Sequence, residues 1–212
     1  MSLVAADWNV VILGHWNRAI LTPAWIAKTL FDLPEGTPVQ VLVSIDTIAP
    51  HQVRHEKLTV IAGSDRMIIQ PAQNDIETLL EAMSVARKIL KELPRTPVSA
   101  VGYNLRYKSE GLVESLQQIT THEWDDRLSD SGFKIVSKSI SRAVLWKEGK
   151  IHALITQETD EKYELLLNFT LESNDSQRLL DWLSVPAEEI RTQASRILQK
   201  TIGVLPEELS HA

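Results

Sequence analysis

A chain of 212 residues, with 43% hydrophobic and 24% charged residues, is long and apolar enough to form one large globular domain or two small ones. The formal charge of -6, spread over interspersed residues of both signs, argues against a broad nucleic-acid-binding surface, which is usually basic. The chain has no cysteine, which excludes disulfides, thiolate zinc sites, iron–sulfur clusters and cysteine nucleophiles.

The N-terminal residues lack the features of a targeting segment. Asp7 interrupts a short apolar start, and no basic stretch precedes it as it would in a signal peptide. No apolar run reaches the roughly 18 residues that are needed to span a bilayer. We therefore expect a cytoplasmic protein that does not enter a membrane.

The first half alternates strand-like and helix-like segments. Thr22 followed by Pro23 is a typical helix start, because threonine caps the N-terminus and proline suits the first helical position. Gly63-Ser64-Asp65 lies between two strand-like runs and predicts a hairpin, whereas Ala49–Arg54 predicts a loop. In chain order we predict a strand, a helix, three strands and a helix: Trp8–Gly14, Pro23–Phe31, Val39–Ile45, Lys57–Ala62, Arg66–Gln70 and Ile76–Leu93.

The central segment 96–107 is the clearest strand. Large apolar residues alternate there with small or polar ones, which predicts a strand with two unlike faces. The first set is Val101, Tyr103, Leu105 and Tyr107, and the second is Ala100, Gly102, Asn104 and Arg106. Gly102 in mid-strand indicates either a bulge or the close approach of another group. Asn104 and Arg106 share a face, where they are either solvated or available to a ligand.

The second half repeats the order of the first. After the central strand we predict a helix, a polar segment without periodicity, three strands and a closing helical region split at Pro186: Glu110–Ile119, Thr120–Gly132, Phe133–Trp146, Lys150–Glu158, Lys162–Leu171 and Ser176–Ile202. The repeat predicts an α+β fold by internal duplication. Two strand–helix–three strands–helix units, residues 1–95 and 96–212, would pack as one compact protein. They would form a mostly antiparallel curved sheet, or two joined sheets, backed by helices.

The familiar catalytic motifs are missing from the sequence. It has no glycine-rich phosphate loop and no nucleophile elbow. His51 and His55 have the spacing of a helical metal site, but Pro50 and the neighbouring strands favour a polar connection instead. We predict no catalytic residue, no metal and no cofactor.

The segment His122–Asp126 concentrates an imidazole, three carboxylates and an indole. Carboxylates bind hard metals and act in general acid–base catalysis. Adjacent side chains rarely point the same way, however, so we favour a solvated acidic loop that is pinned by Trp124.

Tryptophan and arginine near strand ends suggest an interaction surface. His15, Trp16 and Arg18 follow the first strand, and Trp16 is either an interface residue or a core residue. The excess of tryptophan, six against three phenylalanines, also favours interfaces. The candidate interaction or ligand residues are therefore His15, Trp16, Arg18, Tyr103, Asn104, Arg106 and Trp124.

Two blocks, GHWNRAILTPAW at 14–25 and TPVSAVGYN at 96–104, resemble blocks in an uncharacterised group of bacterial proteins of about this length. The similarity extends loosely over the first half of the chain. It implies a bacterial protein, but no activity of the group is known, so no site residue follows from it.

These observations favour a non-enzymatic interaction or scaffold protein that binds another protein or itself as a homodimer. The alternative is a small-ligand binder or an enzyme with a pocket between the two halves, lined by Tyr103, Asn104, Arg106 and His15. Nucleic-acid binding would require a local basic patch, formed by Arg54, Arg66, Arg106 and Lys108.

Overall fold

A computed structural model describes residues 3–42, 50–109, 111–159 and 162–206. The strands in these ranges are β1 (Leu3–Ala5), β2 (Asn9–Gly14), β3 (Gln40–Leu42), β4 (His51–His55), β5 (Leu58–Ala62), β6 (Arg66–Pro71), β7 (Val98–Ser109), β8 (Lys138–Trp146), β9 (Gly149–Thr159) and β10 (Lys162–Glu172). The helices are α1 (Pro23–Trp25), α2 (Ile76–Glu92), α3 (Glu114–Thr120), α4 (Glu123–Asp130), α5 (Ser176–Trp182) and α6 (Ala187–Ser195). Helices α1 and α6 continue as π-helical segments, Ile26–Leu30 and Arg196–Ile202.

The strands form one sheet in the order β3-β4-β5-β6-β2-β7-β10-β9-β8, and β1 also pairs with β7. The pairs β1–β7, β2–β6, β2–β7, β3–β4, β4–β5, β5–β6 and β8–β9 are antiparallel. An α+β fold with a large, mostly antiparallel sheet is thereby confirmed. None of the described helices is long and apolar enough to cross a membrane.

The chain divides into two compact units that interleave in sequence. Unit 1 consists of Met1–Asp7, Leu105–Asn168 and Glu188–Ala212, and unit 2 consists of Trp8–Asn104 and Phe169–Ala187. The predicted consecutive units, residues 1–95 and 96–212, rest on a repeated order of elements. That duplication remains a prediction.

In unit 2, helix α2 covers β2 and β6. Asp75 starts the helix by accepting a hydrogen bond from the Thr78 backbone N–H at 2.8 Å, and the apolar residues that follow recur on one face. Tyr103 stacks on Phe169 and Trp182, with ring centroids 5.0 and 6.2 Å away. The interior includes Val10, Ile12, Val60, Ile69, Leu79, Met83, Ala86, Ile89 and Tyr103.

In unit 1, α3 packs on β8, β9 and the C-terminal π-helical segment. The core is formed by alternate residues of β7, β9 and β10 together with the inner faces of these helices. It includes Leu105, Tyr107, Leu116, Ile151, Ile155, Leu165, Leu167, Ile190, Ala194 and Leu198. Thr120 donates a hydrogen bond to Gln157 Oε1 at 3.0 Å, which satisfies two polar side chains inside this core.

Several predicted elements differ from the structure. The loop predicted at Ala49–Arg54 is wrong where it is described, because His51–His55 is a strand whose buried Val53 lies opposite Val60. The strand predicted over 133–146 begins at Lys138, and the helix predicted from Glu110 begins at Glu114. The end of the strand predicted at 39–45, from residue 43 onward, and Glu110 itself lie outside the described residues.

Candidate functional site

The candidate interaction residues His15, Trp16 and Arg18, which follow β2, do not form one cluster. Trp16 is only 5% exposed, so it is a core residue, while His15 beside it is exposed. The backbone N–H of Trp16 donates to the Ser64 carbonyl at 2.9 Å, which fixes the turn after β2 against the β5–β6 hairpin. Arg18 is half-buried. The burial of Trp16 favours a structural role for it over an interface role.

The candidates on β7 have the alternation that the sequence predicts. Tyr103 is fully buried, whereas Asn104 and Arg106 are half-buried. Asn104 Nδ2 donates to Asn9 Oδ1 at 2.8 Å, and the Arg106 guanidinium donates to Glu164 Oε1 at 2.8 Å. These polar groups therefore already have partners within the fold, and the buried Tyr103 ring is enclosed by core residues.

His51 and His55 lie four residues apart on a strand, which separates their Cα atoms by about 13 Å. The Nε2 of His51 lies 2.7 Å from the Leu21 carbonyl, to which it donates a hydrogen bond in the tautomer that carries the hydrogen on Nε2. The ring of His55 contacts that of Phe31, with centroids 5.8 Å apart. Helical spacing does not apply here, so the two imidazoles cannot share a metal ion.

The acidic segment 122–126 is the start of a helix, so the predicted loop is wrong. His122 is the N-cap of α4, where its Nδ1 accepts from the Trp124 backbone N–H at 3.1 Å and Asp125 accepts from the His122 N–H at 3.2 Å. Carboxylates in a first helical turn interact favourably with the helix dipole. Trp124 is 65% exposed, so it does not pin this segment to the core.

Asp125 also binds Lys138 Nζ at 2.7 Å, which links α4 to the first residue of β8. The Lys138 hydrogen bond is the main cause that lowers the pKa of Asp125, although partial desolvation opposes it. Within the described ranges, no three histidine, aspartate or glutamate side chains are placed to hold a metal ion together. The segment is thus explained by capping and ion pairing.

Strand β8 lies within the strand predicted over 133–146, but the sequence does not predict its place at one end of the sheet. Most of its nine residues are exposed, and Leu145 and Val144 have exposed fractions of 87% and 48%. Sheet-edge strands are usually short, charged or interrupted by proline. Strand β8 is nine residues long and has no proline, and its charged residues are Lys138, which is paired with Asp125, and Arg142 at its centre.

The hairpin geometry shows which backbone groups of β8 face outward. Trp146 pairs with Gly149 across the two-residue turn, so Trp146 and alternate residues before it bond to β9. The residues between them direct their N–H and C=O groups away from β9; these are Ser139, Ser141, Ala143 and Leu145. The hydrogen bond from the Arg142 guanidinium to the Ser141 carbonyl, at 2.8 Å, agrees with this assignment.

A groove of about 340 Å³ lies beside β8 in unit 1. It is bounded by strands β8 and β9 on one side and by α3 and the C-terminal π-helical segment on the other. Its lining is Ile119, Ile140, Arg142, Val144, Ala153, Ile155, Ile197, Thr201 and Ile202. The groove therefore combines an aliphatic surface with a single charged side chain.

No protein-family model matches this chain, and no curated protein matches it either. The resemblance of its two blocks to a bacterial group remains a prediction. In the described residues the sheet ends at β3 on one side and at β8 on the other, and β8 is the longer edge strand and the one with an adjoining apolar groove.

Proposed function

We propose that the protein is a non-enzymatic interaction protein of the bacterial cytoplasm that associates with a second copy of itself through β8. The observation that supports this proposal is the unpaired outer edge of β8, which ends the sheet in the described residues. An exposed strand edge readily pairs with another chain, because its backbone donors and acceptors are already aligned. A twofold symmetric pair uses the same strand from both copies.

The sequence of β8 favours one antiparallel register. Pairing centred on Arg142 would place two guanidinium groups directly opposite each other, which is destabilising. Pairing centred on Ala143 sets Arg142 opposite Val144 of the second copy and Ile140 opposite Trp146. In that register the outward-facing residues 141, 143 and 145 would exchange about six backbone hydrogen bonds.

The same pairing would shield the apolar residues that β8 now exposes. Leu145 and Val144 would each lie against side chains of the second strand. Removing such side chains from water contributes about 25 cal/mol for each Å² of apolar surface. The hydrogen bonds would then set the register, and the apolar burial would contribute most of the affinity.

The decisive variant is Ala143→Pro. Proline removes an N–H that faces away from β9, so the β8–β9 ladder is retained while the outer edge loses its central donor. Light scattering should give twice the 23.9 kDa mass for the native chain and 23.9 kDa for the variant. Ala143→Ser keeps the N–H and should remain dimeric.

Leu145→Lys provides a second test, because Leu145 is 87% exposed and the change does not disturb the core. Lysine removes the apolar side chain that the pairing would bury and introduces a charge that would have to be desolvated, so association should weaken at least tenfold. A native chain that stays monomeric at all concentrations would refute the proposal. Dimers that survive both Ala143→Pro and Leu145→Lys would show that another surface is used.

A further inference from the structure

The groove beside β8 has walls that are almost entirely aliphatic. Ile155 and Ile202 are 5% and 6% exposed, so they form its floor, while Val144 at 48% lies on its rim. Ile119 and Ile197 contribute from the helical side. The helices of unit 1 thus leave an aliphatic groove beside the edge strand, and the volume of this groove is in the lower range of small-molecule sites.

Arg142 is the charged residue of this lining. Its side chain is exposed, and in the part of the chain that the structure describes it forms no ion pair with a carboxylate. Its guanidinium donates to the Ser141 carbonyl, which uses only some of its five N–H donors. An arginine with spare donors beside an apolar groove is suited to a planar anion such as a carboxylate.

We infer that this groove binds an aliphatic carboxylate. The hydrocarbon chain would lie on the isoleucine and valine walls, and the carboxylate would accept hydrogen bonds from Arg142 at the rim. The charge of the protein as a whole is -6, so anions are not attracted to it in general, and the specificity for a carboxylate would come from Arg142 itself. The inference concerns residues of a single copy and does not depend on association.

Isothermal titration of the native chain with hexanoate, octanoate and decanoate, each below its micelle concentration, tests the apolar walls. Affinity should rise about fourfold for each added methylene until the groove is filled, with one ligand bound per chain. Absence of saturable binding by decanoate, or an affinity that does not change with chain length, would overturn the inference.

Arg142→Gln tests the carboxylate contact. Decanoate affinity should fall at least tenfold, because the hydrogen bonds to a charged group are lost, whereas decanol affinity should change less than twofold. Arg127→Gln removes an exposed arginine that pairs with Glu123 on α4, outside the groove, and should leave decanoate binding unchanged. An equal loss in both variants, or no loss in Arg142→Gln, would refute the role of Arg142.

Ala153→Leu tests the position of the site. Ala153 lies directly opposite Arg142 in the β8–β9 ladder and lines the groove, so a leucine there would fill the groove. Binding of both decanoate and decanol should be lost, with the circular dichroism spectrum unchanged. Native-like binding by this variant would place the ligand elsewhere and overturn the inference.

Discussion

Gly102 lies where the backbone of β10 passes close to β7. A Cβ atom at this position would be 2.7 Å from the Phe169 carbonyl oxygen, and a backbone oxygen within a sheet cannot easily move aside. We expect Gly102→Ala to lower the free energy of unfolding by about 2–3 kcal/mol, measured by urea denaturation. Ser99→Ala, at an exposed position of the same strand, should change it by less than about 0.5 kcal/mol. Similar values for the two variants would contradict this account.

The contact between Asp125 and Lys138 makes the stability of the protein depend on pH. The pKa of Asp125 in the folded state lies below the ordinary 3.8, mainly because of the Lys138 hydrogen bond. The ionised carboxylate therefore stabilises the folded state above about pH 4, and this contribution is lost as the pH falls through the lowered pKa. Asp125→Asn should therefore destabilise the protein by up to about 1 kcal/mol at neutral pH, and the effect should shrink as the pH falls below about 4. Thermal melts across this range measure the difference.

Asp126→Asn is the matched control for that experiment. It removes a carboxylate from the same helical turn but leaves the contact between Asp125 and Lys138 intact. Its effect at neutral pH should be smaller than that of Asp125→Asn. The reverse order would mean that the helix dipole, and not the lysine contact, dominates.

At the scale of elements, α2 depends on its N-terminal cap. The Asp75 carboxylate accepts from the Thr78 N–H at 2.8 Å and from the Thr78 hydroxyl at 2.9 Å. Asp75→Ala should cost about 1–2 kcal/mol in urea denaturation, and Asp75→Ser should recover most of the loss because serine also caps helices. An alanine variant as stable as the native chain would show that the cap contributes nothing.

The sequence predicts well the elements that bury one face against a core, because their apolar residues alternate along a strand or recur at the helical period. Strand β7 shows this, because its apolar residues from Val101 to Tyr107 are all buried. The sequence does not predict helix α4, because this helix buries no residue and so has no apolar period. Its N-cap is also a histidine, which is not a common N-cap. The sequence does not predict strand β4, because Val53 is the only buried residue of this strand.

The candidate site at β8 and its groove cannot be predicted from the sequence, because it depends on the order of the strands in the sheet. The sequence predicts that the residues of β8 form a strand, but whether a strand lies at the edge of a sheet is decided by which other strands pair with it. That order depends on contacts between distant parts of the chain, such as β2 with β7. The groove likewise brings together Ile119, Ile140 and Ile197, which are far apart in sequence.

At the scale of the whole molecule, a fragment of residues 1–95 should not fold by itself. It lacks the residues 98–104 that pair with β2, and it lacks Phe169–Ala187, which belongs to the same compact unit. We expect the fragment to show no cooperative urea transition by circular dichroism, in contrast to the full chain measured in parallel. A cooperative transition in the fragment would support the predicted consecutive halves instead.

The interleaving of the two units also bears on biosynthesis. Unit 2 begins at Trp8 but is not complete until Ala187, and unit 1, which resumes at Leu105, also lacks its last segment, Glu188–Ala212, until after that. A ribosome releases the chain in order, so most of the polypeptide must emerge before either unit has all its parts. Until then α2, which packs on β2 and β6, lacks its contact with α5. The nascent chain would therefore be expected to rely on chaperones late in translation.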